Sequence, residues 1–159
     1  MATFQQEVGR AIAAVIGTFS THVQSGGAVF GATWNDNKKA VGAKGRCLVV
    51  SQRAPEPVLQ GDSDQLVNLS YDCRFELINP SDAAANVHDL DTLMRRAFNP
   101  ESRVLQAAYA ALPPTEAVAS PSVTLIAVCE FVDERGAVGY PETAKPLYRV
   151  RVTGYELRS

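Results

Sequence analysis

Residues 66–78 read Leu66-Val67-Asn68-Leu69-Ser70-Tyr71-Asp72-Cys73-Arg74-Phe75-Glu76-Leu77-Ile78. From Val67 to Leu77 each odd position is apolar, aromatic or a cysteine, and each even position is polar or charged. A strand turns successive side chains to opposite faces, so this alternation predicts one long strand with a core face and a wet or partner-facing face. Such a strand needs neighbours and something broad laid over its apolar side.

The cover comes first in the chain. Phe4, Val8, Ala11, Ile12, Val15, Ile16, Phe19 and Val23 recur at steps of three and four, which predicts an amphipathic helix over 3–24. Thr3 and Gln6 have capping-box spacing at its start, and Ser25-Gly26-Gly27 supplies a glycine stop. Val29 to Trp34 and Cys47 to Ser51 read as short strands, separated by a polar, glycine-punctuated loop over 35–46. Pro55 and Pro57 interrupt the pattern next, since two prolines in three residues cannot serve a central ladder.

Beyond the long strand, Asn79 to Asp82 is a turn that opens a second helix carrying Val87, Leu90, Leu93, Met94, Ala97 and Phe98. Asn99-Pro100-Glu101 stops it and starts a third helix, with proline at the first helical position and Val104, Leu105, Ala108 and Leu112 on the apolar side. Residues 113–121 are a loop. Val123 to Val132 is apolar on both parities, which predicts a central strand covered on both faces. Asp133 to Pro146 is a long Gly- and Pro-containing turn region, and Leu147 to Leu157 is the last strand. The apolar parity of that strand changes at Gly154, which predicts a bulge or twist there.

The order is therefore α-β-β-β-α-α-β-β. It predicts one α+β domain over 1–159, with an antiparallel or mixed sheet of about five strands. The N-terminal helix and the central helical pair lie on one face. At 159 residues a chain buries enough surface for a core without disulfides or a metal. Its net charge of −2 argues against a general nucleic-acid binder. The apolar N-terminal stretch is interrupted by Glu7 and Arg10, and no run approaches the ~20 residues of a membrane span. A soluble protein with no membrane partner is the expectation.

The chemistry-bearing residues give little. Cys47, Cys73 and Cys129 are odd in number and sit within strand-like runs, which fits buried thiols in a reducing compartment. Their separations and the two histidines, His22 and His88, match no zinc spacing. His88 beside Asp89 and Asp91 resembles an acid–base pair, but adjacent helical positions point apart and acids suit a first helical turn. Asn35-Asp36-Asn37 and Gly61-Asp62-Ser63-Asp64 lack the register of a calcium loop. Gly42-Ala43-Lys44-Gly45-Arg46 lacks the full phosphate-binding pattern. No catalytic residue, no metal and no cofactor is assigned, and the chain is not read as an enzyme. Lys38, Lys39, Lys44 and Arg46 form the one local charge cluster, either a solvated hairpin tip or a loop facing a partner or DNA.

A domain without a reactive site, with long strands and extended loops, works through its surface. Its layout resembles the tail terminator, or tail completion, proteins of long-tailed bacteriophages. The resemblance rests on an amphipathic opening helix, a short strand pair and Pro55-Glu56-Pro57-Val58 entering a long alternating strand. It continues with the helix His88-Asp89-Leu90-Asp91-Thr92-Leu93-Met94 and final strands ending Tyr148-Arg149-Val150-Arg151-Val152-Thr153-Gly154-Tyr155-Glu156-Leu157. It implies a structural virion protein, assembled in the host cytoplasm and located at the neck. There a homo-hexameric ring would end growth of the tail tube and offer a docking surface to the head-completion proteins. Its implied partners are its own copies, the tail tube protein and the head-completion or neck protein, with non-specific contact to DNA in the lumen. Other neck or tail ring components, such as a head–tail adaptor or a tube protein, and a small-ligand-binding α+β domain, are the alternatives.

Overall fold

The computed structural model describes residues 4–19, 28–30, 46–51, 56–59, 64–78, 83–111, 125–135 and 143–157. In chain order the elements are α1 (Phe4–Ile16), β1 (Ala28–Phe30), β2 (Arg46–Ser51), β3 (Glu56–Leu59), β4 (Asp64–Ile78), α2 (Ala83–Ala97), α3 (Val104–Ala111), β5 (Ile126–Arg135) and β6 (Thr143–Leu157). The strands form one sheet in the order β1-β2-β4-β6-β5, with β3 also paired to β4. Only β1 and β2 are parallel; the other pairs among the described residues are antiparallel. This is the α+β class expected, with a mixed sheet.

The alternating strand is the axis of the sheet. One edge of β4 pairs with β6 along most of its length, and the other pairs with β2 over Tyr71–Glu76 and with β3 over 66–68. Two strands thus share one position, and five positions span the sheet. β3 is absent from the sequence-based expectation. Its Pro57 lacks an N–H, so it serves only an edge, and there it lies opposite Val67. Pro146 lies inside β6, where it stays opposite Glu134 of β5 but interrupts the ladder on the other side. The β4–β6 ladder passes from Arg74–Leu147 to Leu77–Ala144, stepping over the proline.

The odd residues of β4, from Val67 to Phe75, meet Cys47 and Val49 of β2, Tyr148, Val150 and Val152 of β6, and Ala127 and Cys129 of β5 in one core cluster. The helices close it with Val8, Ile12, Val15 and Ile16 of α1, Leu90 and Met94 of α2, and Leu105 and Tyr109 of α3. Tyr71 reaches through this layer, and its hydroxyl donates to the Gln5 carbonyl at the start of α1.

Several boundaries differ from expectation. α1 ends at Ile16, well before 24, because Gly17 and Thr18 turn the chain. The Thr18 and Phe19 N–H groups bond three residues back, to Val15 and Ile16, and the Thr18 hydroxyl donates to Val15 O at 2.7 Å. Residues 20–27, including His22 and the Ser25-Gly26-Gly27 stop, lie outside the described residues, as does Thr3. The expected turn over 133–146 is shorter, since β5 runs to Arg135 and β6 begins at Thr143. Gly154 carries no bulge. The β4–β6 register passes through it unchanged, from Asn68–Thr153 to Val67–Gly154 to Leu66–Tyr155. Its lack of a side chain has a packing cause: a Cβ there would stand 2.7 Å from Leu125 Cδ2 and 3.2 Å from Phe4 Cζ.

Pro100 does not open α3, which starts at Val104. Asn99 governs the junction. Its amide donates to the carbonyls of Arg95 and Arg96 at 3.0 Å, and its Oδ1 accepts from the N–H groups of Glu101 and Ser102. Ser102 Oγ then accepts from Val104 N at 3.2 Å, capping α3. Val104 itself is exposed and not part of the apolar side. Asn99→Ala removes all four side-chain bonds and is expected to lower stability by about 1 kcal/mol, since water replaces part of what is lost at this half-buried site. A shift in the urea midpoint at constant slope measures it.

Candidate functional site

No helix among the described residues is long and apolar enough to cross a membrane. The helices cover one face of the sheet, and the other face displays the even residues of β4 with their cross-strand neighbours. Strand registers set these in rows. Asn68, Thr153 and Ile126 form one row; Ser70, Arg151 and Val128 the next; Val50, Asp72, Arg149 and Glu130 a third.

Charge alternates across these rows. Arg149 Nε donates to Asp72 Oδ1 at 3.2 Å, and Arg151 Nη2 donates to Glu130 Oε1 at 3.0 Å. Thr153 Oγ1 donates to Asn68 Oδ1 at 2.8 Å. Asp72 is buried although it lies on the open face, which a carboxylate tolerates only with such a partner. Beside this polar half, β5 contributes two aliphatic side chains. Asn68, Ser70, Arg151 and Thr153 with Ile126 and Val128 line an open concavity of about 380 Å³. Ser70 Oγ is buried in it and has no hydrogen-bond partner among the described residues.

The strongest departure from an ordinary surface is β5 itself. The apolar run over 123–132 predicts a central strand covered on both faces; among the described residues β5 is instead the terminal strand of the sheet. Leu125, Ala127 and Cys129 face the core, while Ile126 and Val128 on the other parity are 42% and 47% exposed. Phe131 and Val132 are 39% and 40% exposed. Four of the five large exposed hydrophobic residues among those described therefore belong to one edge strand. Val132 is the extra residue of a bulge, since Phe131 opposes Tyr148 and Asp133 already opposes Leu147.

Behind the edge lies a fixed support. Phe131 meets Tyr148 edge-on at 5.3 Å between ring centroids, and Tyr148 meets Phe75 likewise at 6.0 Å. The Tyr148 hydroxyl donates to Asp91 Oδ1 at 3.0 Å, and Arg95 Nε donates to Asp91 Oδ2 at 2.9 Å. Burial first, and then the bond to Asp91, raise the Tyr148 pKa, while Asp91 raises that of Arg95.

No known protein-family model and no curated protein matches the chain.

The residues singled out from sequence fall as follows. Lys38, Lys39 and Lys44 lie outside the described residues; Arg46 opens β2, with its Cα opposite Glu76. His88 is in the first half of α2. Asp91, three residues on, has each carboxylate oxygen engaged by Tyr148 or Arg95. The three cysteines are buried and form no disulfide with one another, and burial pushes the thiols of Cys47 and Cys73 up and that of Cys129 up to about 12. A nucleophilic cysteine needs the opposite shift. Among the described residues no cluster of His, Cys, Asp or Glu is able to hold a metal ion. The concavity and the β5 edge are not among the residues that sequence motifs mark. Their one signal is the both-parity apolarity of 123–132, which double coverage explains equally well.

Proposed function

We propose that this chain is a structural subunit that joins copies of itself into a ring and acts by binding, not by catalysis. The observation that carries this reading is the apolar outer edge of β5, which has no strand beyond it among the described residues. A strand edge with exposed N–H and C=O groups and an apolar surface is a liability for a free monomer, usually blunted by charge or cover. The Val132 bulge and the charges of Glu130, Asp133, Glu134 and Arg135 blunt the later part of β5, and its uncharged first part, with Ile126 and Val128, is left open. The layout resemblance to tail terminator proteins makes the reading specific. The ring sits at the head-proximal end of a phage tail tube, stops tube growth and presents a docking face to the neck. The basic residues Lys38, Lys39, Lys44 and Arg46 are assigned on the same reading to a partner or to DNA in the lumen.

Native mass spectrometry and negative-stain microscopy of the purified chain, alone and with the tail tube protein, test this. Discrete rings of about six copies that cap tubes and limit their length are expected, the number six being what the resemblance to tail terminators implies and ring closure being what a head-to-tail contact requires. Copolymerisation without limit would make it a tube component. A chain that stays monomeric both alone and on tube ends would end the ring reading altogether.

A further inference from the structure

Resting on the ring reading, the geometry points to where one copy meets the next: we propose that β5 of one subunit pairs antiparallel with β1 of its neighbour, continuing the sheet from copy to copy. A ring needs a heterologous contact, in which two different surfaces of one subunit type meet and the rotation closes. Among the described residues the sheet supplies two such surfaces at its opposite ends, β1 and β5.

Strand direction then fixes the pairing. β1 is parallel to β2, and each step from β2 to β4, β6 and β5 reverses direction. After three reversals β5 runs opposite to β1. Copies repeated in one orientation around a ring keep their strand directions, so β5 meets the neighbouring β1 antiparallel. That is the more stable ladder, and it needs no crossover within either chain.

Charge agrees with this choice of partner. Ala28-Val29-Phe30 is uncharged, and so is Leu125-Ile126-Ala127-Val128-Cys129, the segment that leads into β5 and forms its first part. The remainder of β5 carries Glu130, Asp133, Glu134 and Arg135. A twofold β5–β5 pairing centred on Glu130 or Asp133 sets an acid against its own copy, and one centred on Val132 sets Glu130 against Glu134, arrangements that destabilise a ladder. Pairing with β1 through 125–129 avoids these clashes and covers Ile126 and Val128.

The test uses the full chain with a short bis-maleimide cross-linker, the buried native thiols being protected. Val128→Cys chains mixed with Val29→Cys chains are expected to give a cross-linked dimer, while Val128→Cys chains alone do not. Val128→Lys, at an exposed position, is expected to keep its circular dichroism and lose about nine-tenths of its rings, a charge having been set into an apolar ladder. Rings that persist in Val128→Lys, with no cross-link in the mixture, would overturn the β5–β1 contact and leave the ring reading standing. Efficient cross-linking of Val128→Cys alone would replace it with a twofold contact. Absence of rings in the unaltered chain on tube ends would instead remove the reading beneath it. Should Val128→Lys fail to fold, the cross-linking result decides alone.

Discussion

Raising the pH from 7 to 10 is expected to destabilise this protein by roughly 3–4 kcal/mol, through thiols buried in its core. Cys47, Cys73 and Cys129 lie at the junction of β2, β4 and β5 with the helices, and all three are buried thiols outside any disulfide. Burial disfavours their charged form, and for Cys73 the neighbouring Cys47 and Cys129 add to it. In the unfolded chain each thiol ionises near its ordinary value of 9.0. Above that pH the unfolded state releases protons that the folded state retains, so stability falls as pH rises. The contribution is fully present below pH 9 and is lost progressively until the folded thiols ionise, about pH 12 for Cys129. At pH 10 each thiol costs on the order of 1 kcal/mol, giving roughly 3–4 kcal/mol for the three. Tyr71, Tyr109 and Tyr148, also raised mainly by burial, steepen the fall above pH 10. Urea unfolding at a series of pH values from about 7 to about 10 measures it. A curve flat across that range would mean that the thiols ionise within the fold. Cys129→Ala separates the causes, since it removes about a third of the pH dependence while adding its own constant packing cost.

Much of this architecture is legible in the chain, because period-two alternation and a helical stripe are local signals. The odd residues from Val67 to Phe75 face the core as the alternation requires, and Leu90, Met94 and Phe98 line one side of α2 and its end. The departures share a physical cause, namely that local pattern does not report what a neighbour supplies. Phe19 continues the stripe of α1 in sequence, yet the backbone has already turned at Gly17. The apolar parity of 147–157 changes at Gly154, yet the ladder does not, because the glycine answers to Phe4 and Leu125 and not to its own strand.

Residues 123–132 are the instructive case. Apolar residues on both parities predict cover on both sides within one chain. One parity is covered by the helices, and Ile126 and Val128 on the other are not. A sequence encodes burial in the assembled state as well as in the monomer, and the two cannot be told apart by periodicity. The mismatch between the pattern and the monomer is therefore informative. It locates the surface on which the assembly proposal depends.

Replacing Tyr148 is expected to have the largest effect of any single core substitution near that surface. Tyr148 is fully buried on the core face of β6, between Phe75 on β4 and Phe131 on β5, with its hydroxyl on Asp91 of α2. Tyr148→Ala empties a site walled by strands and a helix, none of which is free to collapse far, so a loss of about 3–5 kcal/mol follows. Tyr148→Phe keeps the ring contacts and removes only the hydroxyl. Asp91 retains Arg95 and some access to solvent, so no isolated buried charge results and the loss should be about 1 kcal/mol. The two variants separate packing from polarity in a urea titration, and equal losses would refute that separation. A further consequence reaches the edge. Phe131 is held by Tyr148, so Phe131→Ala should cost less in a Tyr148→Ala background, with a coupling of about 0.5–1.5 kcal/mol. Ring assembly should fall more steeply in Tyr148→Ala than in Tyr148→Phe, because only the former leaves the middle of β5 unsupported. If both variants assemble alike at a temperature where both are folded, then the aromatic support behind Phe131 does not reach the 125–129 segment through which the ladder is proposed to form.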